Sequence, residues 1–355
     1  MRYFINSDNL KFFKEPEAFN KHTPMDMLKY AIGANMYMPG TQTNIFHKLI
    51  GNKFHDIGAI TLCCEDAIKE SDLEAAEANI LQILENLYYK AKENPDLMNQ
   101  LPLIFIRVRS TNQFENLLNR MNEKHLSILA GFNFPKFNSS NGDRYFTILE
   151  RASKKYNEVL YGMPILEDNS IIYRETRTRE LKKIQEILTK YPDYVLNIRV
   201  GGTDFSSIFG LRRRVNTTIY DLRVVSDCLI DILNYFARNE KGYVVSGPVW
   251  EYFSWNKESE EIMGLKKELM LDIENGFHGK TIIHPSQIDT VNRSYAVEYE
   301  QYIDASNILA AEGGVFKSIG GNCMNETGPH RVWASRIIAR AKIFGVLDKH
   351  AQVEE

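Results

Sequence analysis

Eight short apolar segments, rich in β-branched and aromatic residues, alternate with longer charged segments along this chain. The apolar segments lie near residues 35–38, 59–63, 103–108, 127–132, 159–166, 194–200, 243–246 and 281–283. One intervening segment, 72–93, places Leu73, Ala76, Ile80 and Leu84 at helical spacing. Strands that alternate with helices are typical of a parallel sheet built from βα units. Eight units predict an α/β fold of the (β/α)8 TIM-barrel type, and no Gly-x-Gly-x-x-Gly follows the first strand to favour an open doubly wound sheet.

The 355 residues exceed a usual single domain, but α/β barrels exceed 250 residues as one unit. We predict that residues 1–32 form an N-terminal extension, because they contain no clear strand. Residues 33–294 are predicted to form the barrel. Residues 295–355 are predicted to form a C-terminal helical lid or oligomer contact, with helices near 286–311 and 329–344 and a glycine-rich loop at 312–321 between them.

Composition excludes several classes of protein. The net charge of -3 and the 25% of charged residues leave no basic surplus for binding a phosphate backbone, so nucleic acid is not an expected partner. No run of about 18 apolar residues is present, and the first residues do not resemble a signal peptide. We therefore expect no membrane partner and a cytoplasmic location.

Reactive side chains follow the predicted strands at the points where those strands end. The βα loops at this edge form the open face of a barrel, so residues placed there are expected to meet. The candidate side chains at or just after the strand ends are Glu65, Asp66, Arg107, Lys136, Glu167, Asp204 and His284.

Two of these acids come from adjacent strand ends, the fifth and the sixth. Mg²⁺ is a hard ion that prefers six oxygen ligands in octahedral geometry. Water and substrate oxygens can occupy the coordination positions that no side chain fills. Glu167 and Asp204 are therefore the predicted metal ligands, with Mn²⁺ as a possible substitute for Mg²⁺.

Cationic residues near the same edge suit an anionic substrate. Arg107 has a planar fork that matches a carboxylate, and Lys136 is a second candidate contact. Arg212 and Arg213, with Arg214, form a triple cation that is either a solvated loop or a pocket for a phosphate-bearing substrate. His284 is either a structural residue of the turn before Pro285 or a substrate contact.

Five short motifs in order resemble the citrate lyase beta subunit branch of the HpcH/HpaI aldolase superfamily. That branch has patterns that read roughly PG, DLEDAV, RVN, G-x-x-D-L and GK-x-x-IHP-x-Q. The matching segments here are Met38-Pro39-Gly40, Cys64-Glu65-Asp66-Ala67-Ile68, Ile106-Arg107-Val108, Val200-Gly201-Gly202-Thr203-Asp204-Phe205 and the segment 279–287.

The resemblance implies a Mg²⁺-dependent carbon-carbon bond lyase that acts by a retro-aldol or retro-Claisen route on a small carboxylate-bearing substrate, with or without a phosphate group. It implies that Glu65 and Asp66 orient the metal through its water shell, that Arg107 binds substrate, and that the protein is a homo-oligomer, a trimer or a hexamer. A condensing enzyme that uses a coenzyme A thioester, as in malate synthase-like relatives, and a non-catalytic metabolite-binding barrel remain alternatives.

Two positions depart from the resembled pattern. Cys63 stands where the family has its first acid, which removes one charge from the site. Glu175 resembles the family's "ET-x-x-G" glutamate and competes with Glu167 as the metal ligand, although it lies in a charged run that is predicted to be helical. The chain is most similar to the divergent lyase group found with bacterial tellurite-resistance and stress operons, which implies a biosynthetic role.

Overall fold

The computed structural model of the protein describes residues 1–5, 10–51, 54, 56–238 and 242–349. Within these residues the strands are β1 (Phe12–Lys14), β2 (Ala34–Pro39), β3 (Ala59–Cys63), β4 (Leu103–Arg107), β5 (Gly131–Phe134), β6 (Tyr161–Leu166), β7 (Ile198–Val200), β8 (Val245–Ser246), β9 (Lys280–Ile282), β10 (Val315–Lys317), β11 (Met324–Glu326) and β12 (Val346–Leu347). The helices are α1 (Met25–Leu28), α2 (Ile45–Ile50), α3 (Leu73–Glu93), α4 (Thr111–Arg120), α5 (Glu123–Ile128), α6 (Gly142–Tyr156), α7 (Asn169–Ile172), α8 (Arg174–Lys190), α9 (Gly202–Ile208), α10 (Arg223–Phe236), α11 (Glu260–Asn275), α12 (Ile288–Arg293), α13 (Tyr299–Ala310) and α14 (Arg331–Phe344).

Eight parallel strands form the predicted barrel. Strands β2 to β8 pair in chain order, and β9 pairs back with β2. The remaining edge is closed by a parallel bridge between Gly247 and Lys280 and by the N–H of His278, which donates to Val245 O at 2.8 Å. The TIM-barrel prediction is therefore confirmed.

The fourth barrel strand begins later than the sequence pattern predicts. The pattern predicts a strand at 127–132, whereas β5 begins at Gly131, and Ser127 and Ile128 belong to α5. Asn122 caps α5, because its side chain accepts from the N–H of Lys124 and its own N–H donates to His125 Nδ1. Leu126 is buried in this helix. A capped helical turn with one buried face thus accounts for the apolar residues at the start of the predicted strand.

The barrel interior is unusually polar. Thr61 Oγ1 donates to Asn35 Oδ1 at 3.0 Å, and Asn133 Nδ2 donates to Thr61 Oγ1 at 3.1 Å and to the Tyr37 hydroxyl at 2.8 Å. Barrel interiors are more often filled with branched apolar side chains. The interior of this barrel can therefore recognise polar groups as well as support the strands.

The two terminal regions meet each other. β1 pairs antiparallel with β12, so residues 1–32 do contain a strand, contrary to the sequence pattern. Tyr3 stacks on Phe344 with 4.4 Å between ring centroids. The pairing needs a partner more than 300 residues away along the chain, which explains why a three-residue strand gave no local signal.

The C-terminal region departs from the predicted helices in two places. The expected helix at 286–311 is split, because α12 ends at Arg293 and α13 begins at Tyr299. The glycine-rich segment is a hairpin of β10 and β11 and not an irregular loop. Gly314 and Gly321 have φ of 98° and 72°, a left-handed conformation that glycine adopts readily. Residues 350–355 of the predicted lid lie outside the described residues.

None of the helices in the described ranges is both long enough and apolar enough to cross a membrane.

Candidate functional site

Arg107 is the centre of a cluster of charged side chains at the carboxyl end of the barrel. Its Nη2 lies 2.6 Å from Glu65 Oε2, 3.0 Å from Asp66 Oδ2 and 3.0 Å from Glu167 Oε1. Glu65 and Asp66 follow β3 and Glu167 follows β6, while Arg107 ends β4. The convergence of parallel strand ends brings together residues that are up to about 100 positions apart in the sequence.

Lys136 completes this group, which we call the acid–arginine cluster (Glu65, Asp66, Arg107, Lys136 and Glu167). Its Nζ lies 2.5 Å from Glu65 Oε1 and 3.6 Å from Asp66 Oδ2, and its backbone N–H donates to Glu167 Oε1 at 3.0 Å. The backbone of Lys136 has φ of 47°, a conformation that non-glycine residues rarely adopt. In this conformation the N–H of Lys136 contacts Glu167 and its side chain contacts Glu65.

Burial and mutual charge shift the pKa values of the cluster. Burial raises the pKa of Glu167 to about 7, and Asp204 adds to that increase, although Arg107 opposes it. Burial also raises the pKa of Glu65. The hydrogen bond with Glu65 and the charges of Arg107 and Lys136 outweigh burial at Asp66 and lower its pKa. Asp66 is therefore the acid of the pair that stays ionised, and its side chain is 54% exposed.

Arg107 remains a strong cation in this setting. Burial by itself lowers its pKa, but the charges of Glu167 and Glu65 outweigh burial and raise it above the ordinary value. Its Nε is buried and has no hydrogen-bond partner in the described structure. That N–H is available to a substrate oxygen, which is compatible with the predicted substrate contact.

Glu167 and Asp204 face the same small space beside Gly201. A Cβ added to Gly201 would lie 2.5 Å from Glu167 Oε2 and 3.2 Å from Asp204 Oδ2. Asp204 lies in the first turn of α9, directly after β7. The absence of a side chain at Gly201 thus leaves open the space toward which both carboxylates point.

These two residues fit a divalent ion. Glu167 uses Oε1 for Arg107 and Lys136, and its Oε2, like both oxygens of Asp204, accepts no hydrogen bond within the described structure. Carboxylate oxygens are the ligands that Mg²⁺ prefers, usually one or two of them with waters and substrate oxygens. No group of three or more possible metal-binding side chains occurs among the described residues, so the site offers two protein ligands.

Glu175 lies elsewhere. It is an exposed residue in the first turn of α8, whereas Glu167 is buried at the end of β6 next to Asp204. The geometry therefore favours Glu167 as the partner of Asp204. Cys63, at the position of the resembled family's first acid, is buried, and its Sγ accepts the N–H of Glu65 at 3.4 Å.

The prediction that Arg213 binds substrate is wrong. Its side chain is 2% exposed; Nε lies 2.6 Å from Glu251 Oε2, Nη1 pairs with Glu268, and Nη2 donates to the carbonyl of Val249. The guanidinium also lies 5.0 Å from the centroid of the Trp250 ring. Every nitrogen of Arg213 is occupied, so it holds the loop after β8 in place.

The remaining candidates are differently placed. Arg212 and Arg214 are exposed on the loop after α9. His284 accepts the N–H of Ser286 through Nδ1, which caps the short 3-10 helix at Pro285–Gln287, and its ring stacks on Phe253 with 4.3 Å between centroids. This cap matches the structural alternative for His284, and a substrate contact of this residue stays a prediction.

One residue of this region was missed by the sequence analysis. Arg199, in β7, is 1% exposed and donates from Nη2 to Thr281 Oγ1 at 2.6 Å. The sequence places Arg199 two residues after Asn197 in a short apolar segment, so both side chains are expected on the same face of the strand. Charged residues are almost never fully buried without a partner, so this position was worth singling out.

The fold and this cluster define a class of protein, a TIM barrel with acidic and arginine side chains at the catalytic end of its strands. Residues 26–346 match the family described as C-C bond lyase of the TIM-barrel fold. Because the match covers most of the chain, the protein belongs to this family and is a carbon-carbon bond lyase. None of the curated proteins compared with the chain matches its sequence.

Solved structures share the fold. CitE from Mycobacterium tuberculosis, in complex with magnesium, acetoacetate and coenzyme A, is 18% identical with a TM-score of 0.53, covering 88% of this chain and 99% of CitE. RipC from Yersinia pestis is 15% identical with a TM-score of 0.51, covering 75% of this chain and 95% of RipC. At these identities the likeness concerns the fold. The family match confirms the expected likeness to a carbon-carbon bond lyase group, and kinship with citrate lyase beta subunits stays a prediction.

Proposed function

We propose that the protein is a magnesium-dependent lyase that cleaves a small carboxylate-bearing substrate by a retro-aldol or retro-Claisen route. The observation that carries the proposal is the pair Glu167 and Asp204, whose free carboxylate oxygens face one space beside Gly201, while the other oxygen of Glu167 lies 3.0 Å from Arg107 Nη2. CitE, which shares this fold, is described with magnesium, acetoacetate and coenzyme A, which supports the metal and the kind of ligand.

Glu167 and Asp204 would hold the metal in this proposal. A magnesium ion at this place would act as a Lewis acid that lowers the cost of the negative charge developing on a keto oxygen. Arg107 would bind the adjacent carboxylate of the substrate through its free Nε, and this contact would fix the orientation of the bond to be broken.

Asp66 is assigned the proton transfer. In a retro-aldol step a base takes the proton of the β-hydroxyl group, the carbon-carbon bond breaks, and its electron pair passes to the carbonyl side as an enolate. Asp66 is ionised, half exposed and 3.0 Å from Arg107, so it can reach a substrate that Arg107 holds. Glu65 and Lys136, joined by their ion pair, position Asp66 and Arg107 from the other side.

Two further experiments address the direction of the reaction and the presence of a phosphate group on the substrate. Including acetyl coenzyme A in the assay tests the condensing direction, since only a condensing enzyme consumes the thioester. Arg212 and Arg214 are the exposed cations that remain for a phosphate after Arg213 is removed from the site. A panel of keto acids with and without a phosphate group separates the two substrate classes.

The metal site is tested by calorimetric titration of Mg²⁺ into the purified protein and its variants. Glu167→Gln and Asp204→Asn should each weaken Mg²⁺ binding by about tenfold or more, because each removes one of two charged ligands. Glu175→Gln is the matched control and should bind Mg²⁺ as the parent does. Wild-type affinity in both site variants, or loss of binding in the Glu175 variant, would show that the metal ligands are assigned wrongly.

A further inference from the structure

A cleft of about 580 Å³ lies at the amino-terminal end of the barrel. Its lining includes Tyr30, Val244 and His278, which come shortly before β2, β8 and β9. Helix α14 and the end of α11 form its other walls. Cavities of this volume accommodate small organic molecules. Because the acid–arginine cluster lies at the opposite ends of the strands, the cleft is separate from the proposed lyase site.

Three cationic side chains line the cleft. Lys29 is at the end of α1, and Arg336 and Arg340 are on α14. None of the three forms an ion pair with a carboxylate of the described residues. Arg336 Nη2 donates instead to the carbonyl oxygen of Ala237, and Arg340 Nη2 donates to Gln301 Oε1 at 3.3 Å. These acceptors are neutral, so they hold the guanidinium groups in place without compensating their charge.

The two arginines of the cleft are placed where they repel each other. Arg336 and Arg340 are four residues apart, so their side chains lie one turn apart on the same face of α14. Like charges at this spacing destabilise a helix. Arg340 Nε is also buried without a hydrogen-bond partner in the described structure, which adds a cost of its own. An anion bound between the two guanidinium groups would offset the repulsion and accept hydrogen bonds from them.

The pKa values of the cations reflect this environment. Burial lowers the pKa of Lys29, and the charge of Arg336 adds to that decrease, although Asp26 opposes it. Burial lowers the pKa of Arg340 from 12.5 to about 10, although a neighbouring phenol and a neighbouring carboxylate oppose it. An anion close to an ionisable cation favours its charged form. A bound anion would therefore reverse part of both decreases.

Two acids also line the cleft, but both are exposed. They are Asp26 and Glu274. Asp26 Oδ1 accepts the N–H of Met27 at 3.0 Å in the first turn of α1. Water and salt screen charges on exposed side chains more strongly than charges inside a cleft. The interior of the cleft therefore keeps a positive potential, which concentrates small anions.

An aromatic side chain continues the row of arginines along α14. Trp333, Arg336 and Arg340 are spaced by three and four residues, so all three lie along one face of the helix. Trp333 lines the cleft and is 40% exposed. The flat apolar face of an indole is a surface on which a planar ring can stack. The row thus suits a ligand with a planar ring at one end and an anionic group at the other.

We propose that this cleft is a second ligand site of the protein and that it binds a nucleoside phosphate, with the base against Trp333 and the phosphate against the three cations. A phosphate group carries close to two negative charges at neutral pH and offers three acceptor oxygens, so it can accept from guanidinium and ammonium donors together. The proposal does not rest on the lyase function, because no residue of the cleft belongs to the acid–arginine cluster or to the proposed metal site.

The test is a calorimetric titration of AMP into the purified protein in EDTA, so that no divalent ion contributes. Adenosine lacks the phosphate, ribose 5-phosphate lacks the base, and inorganic phosphate lacks the nucleoside. We expect AMP to bind roughly tenfold or more tightly than adenosine, the usual scale for hydrogen bonds between charged groups. AMP should bind about fivefold or more tightly than ribose 5-phosphate, because stacking of a base on an aromatic side chain adds affinity.

Variants of the cleft assign these preferences to particular side chains. Arg336→Met and Arg340→Met should each weaken AMP binding by about tenfold or more and leave adenosine binding unchanged. Trp333→Leu should abolish the preference for AMP over ribose 5-phosphate and keep the binding of ribose 5-phosphate. The matched control is Arg151→Met, which removes an arginine whose side chain is 70% exposed on α6 and should bind AMP as the parent does.

A variant on a different helix keeps the test decisive if the arginine variants do not fold. Lys29→Met lies outside α14 and should weaken AMP binding by about threefold or more, with adenosine as the internal control. Equal binding of AMP and adenosine by the parent overturns the proposal. An AMP affinity that survives in every folded variant of the three cations overturns it as well.

Other places and other occupants give different results. Arg212 and Arg214, on the loop after α9, are the competing cations for a phosphate. If Arg212→Met, Arg214→Met loses AMP binding while the cleft variants keep it, the phosphate binds there and the proposal is wrong. If inorganic phosphate binds as tightly as AMP, a free anion occupies the cleft and the nucleoside part of the proposal is wrong.

Discussion

At the scale of single residues, neighbours in sequence have opposite environments. Arg212 and Arg214 are exposed, whereas Arg213 between them is buried and its three nitrogens bind Glu251, Glu268 and Val249. Glu268 is itself fully buried and also pairs with Lys280 of β9 at 2.9 Å. Arg213 therefore belongs to an ionic network between the barrel and α11, and its position in a triplet says nothing about its function.

Substituting these neighbours should have unequal effects on stability. Arg213→Met removes one of the two cations that pair with the buried Glu268 and leaves it only Lys280, so it should lower the free energy of unfolding by roughly 3–5 kcal/mol. Arg212→Met removes an exposed charge and should change it by no more than about 0.5 kcal/mol. Urea unfolding of the two variants measures the difference. Similar values for both would contradict the role of Arg213 in the network.

At the scale of elements, the hairpin of β10 and β11 is the part that sequence patterns described least well. It is fixed to α13 by a hydrogen bond from the N–H of Ile319 to Asp304 Oδ1 at 2.9 Å. Val315 and Met324 are nevertheless 62% and 55% exposed. An ordered hairpin with apolar side chains on its surface suits the expected contact with a second copy of the chain.

Charges on the hairpin should weaken that contact. The double variant Val315→Lys, Met324→Lys should give a smaller species than the parent in analytical ultracentrifugation, because an apolar interface does not accept two unpaired ammonium groups. The matched control is Met263→Lys, Met270→Lys, which changes two equally exposed methionines on α11 and should keep the parent's mass. A monomeric parent, or an unchanged mass in the hairpin variant, would remove this segment from any interface.

At the scale of the whole molecule, His278 joins the three parts into which the sequence was divided. It precedes β9, and its Nε2 lies 2.8 Å from the carbonyl oxygen of Tyr30. Because a carbonyl oxygen can only accept, Nε2 of the ring is the donor. Its ring packs on Tyr295, with 4.4 Å between centroids, and against Phe344. Burial, together with the charges of Arg340 and Arg336, lowers the pKa of His278 from 6.5 to about 3.

This shift predicts a dependence of stability on pH. Between about pH 3 and pH 6.5 the unfolded chain binds a proton at His278 that the folded protein does not, so folding becomes less favourable as the pH falls below 6.5. The loss is at most about 1.4 kcal/mol per pH unit. His278→Gln can keep the hydrogen bond to Tyr30 without titrating, so its free energy of unfolding should fall by about 2 kcal/mol less than the parent's between pH 7 and pH 5.

The control for this measurement is His22→Gln, which alters an exposed histidine and should keep the parent's pH dependence. Urea unfolding at both pH values gives the comparison. The same loss of stability in the parent and in His278→Gln would mean that other groups cause the acid sensitivity.

The sequence by itself determined the barrel and the edge at which its charged residues meet. Alternating apolar and helical segments are local patterns, and the carboxyl ends of parallel strands must converge once the barrel closes. Glu65, Arg107 and Glu167 could therefore be placed near one another without any knowledge of the tertiary structure. Local patterns were weakest where an element is short or capped, as at the start of β5.

Only the tertiary structure decided which charges have partners. Arg213 pairs with Glu251 and Glu268, which are 38 and 55 residues away in sequence, and therefore does not face the site. Arg199 lies inside the barrel, and its Nε and Nη1 have no hydrogen-bond partner in the described structure. The pairing of a side chain depends on which distant residues come within about 3 Å of it, and spacing along the chain carries almost no information about such contacts. An unpaired cation and a structural one therefore look alike in the sequence and differ only in the fold.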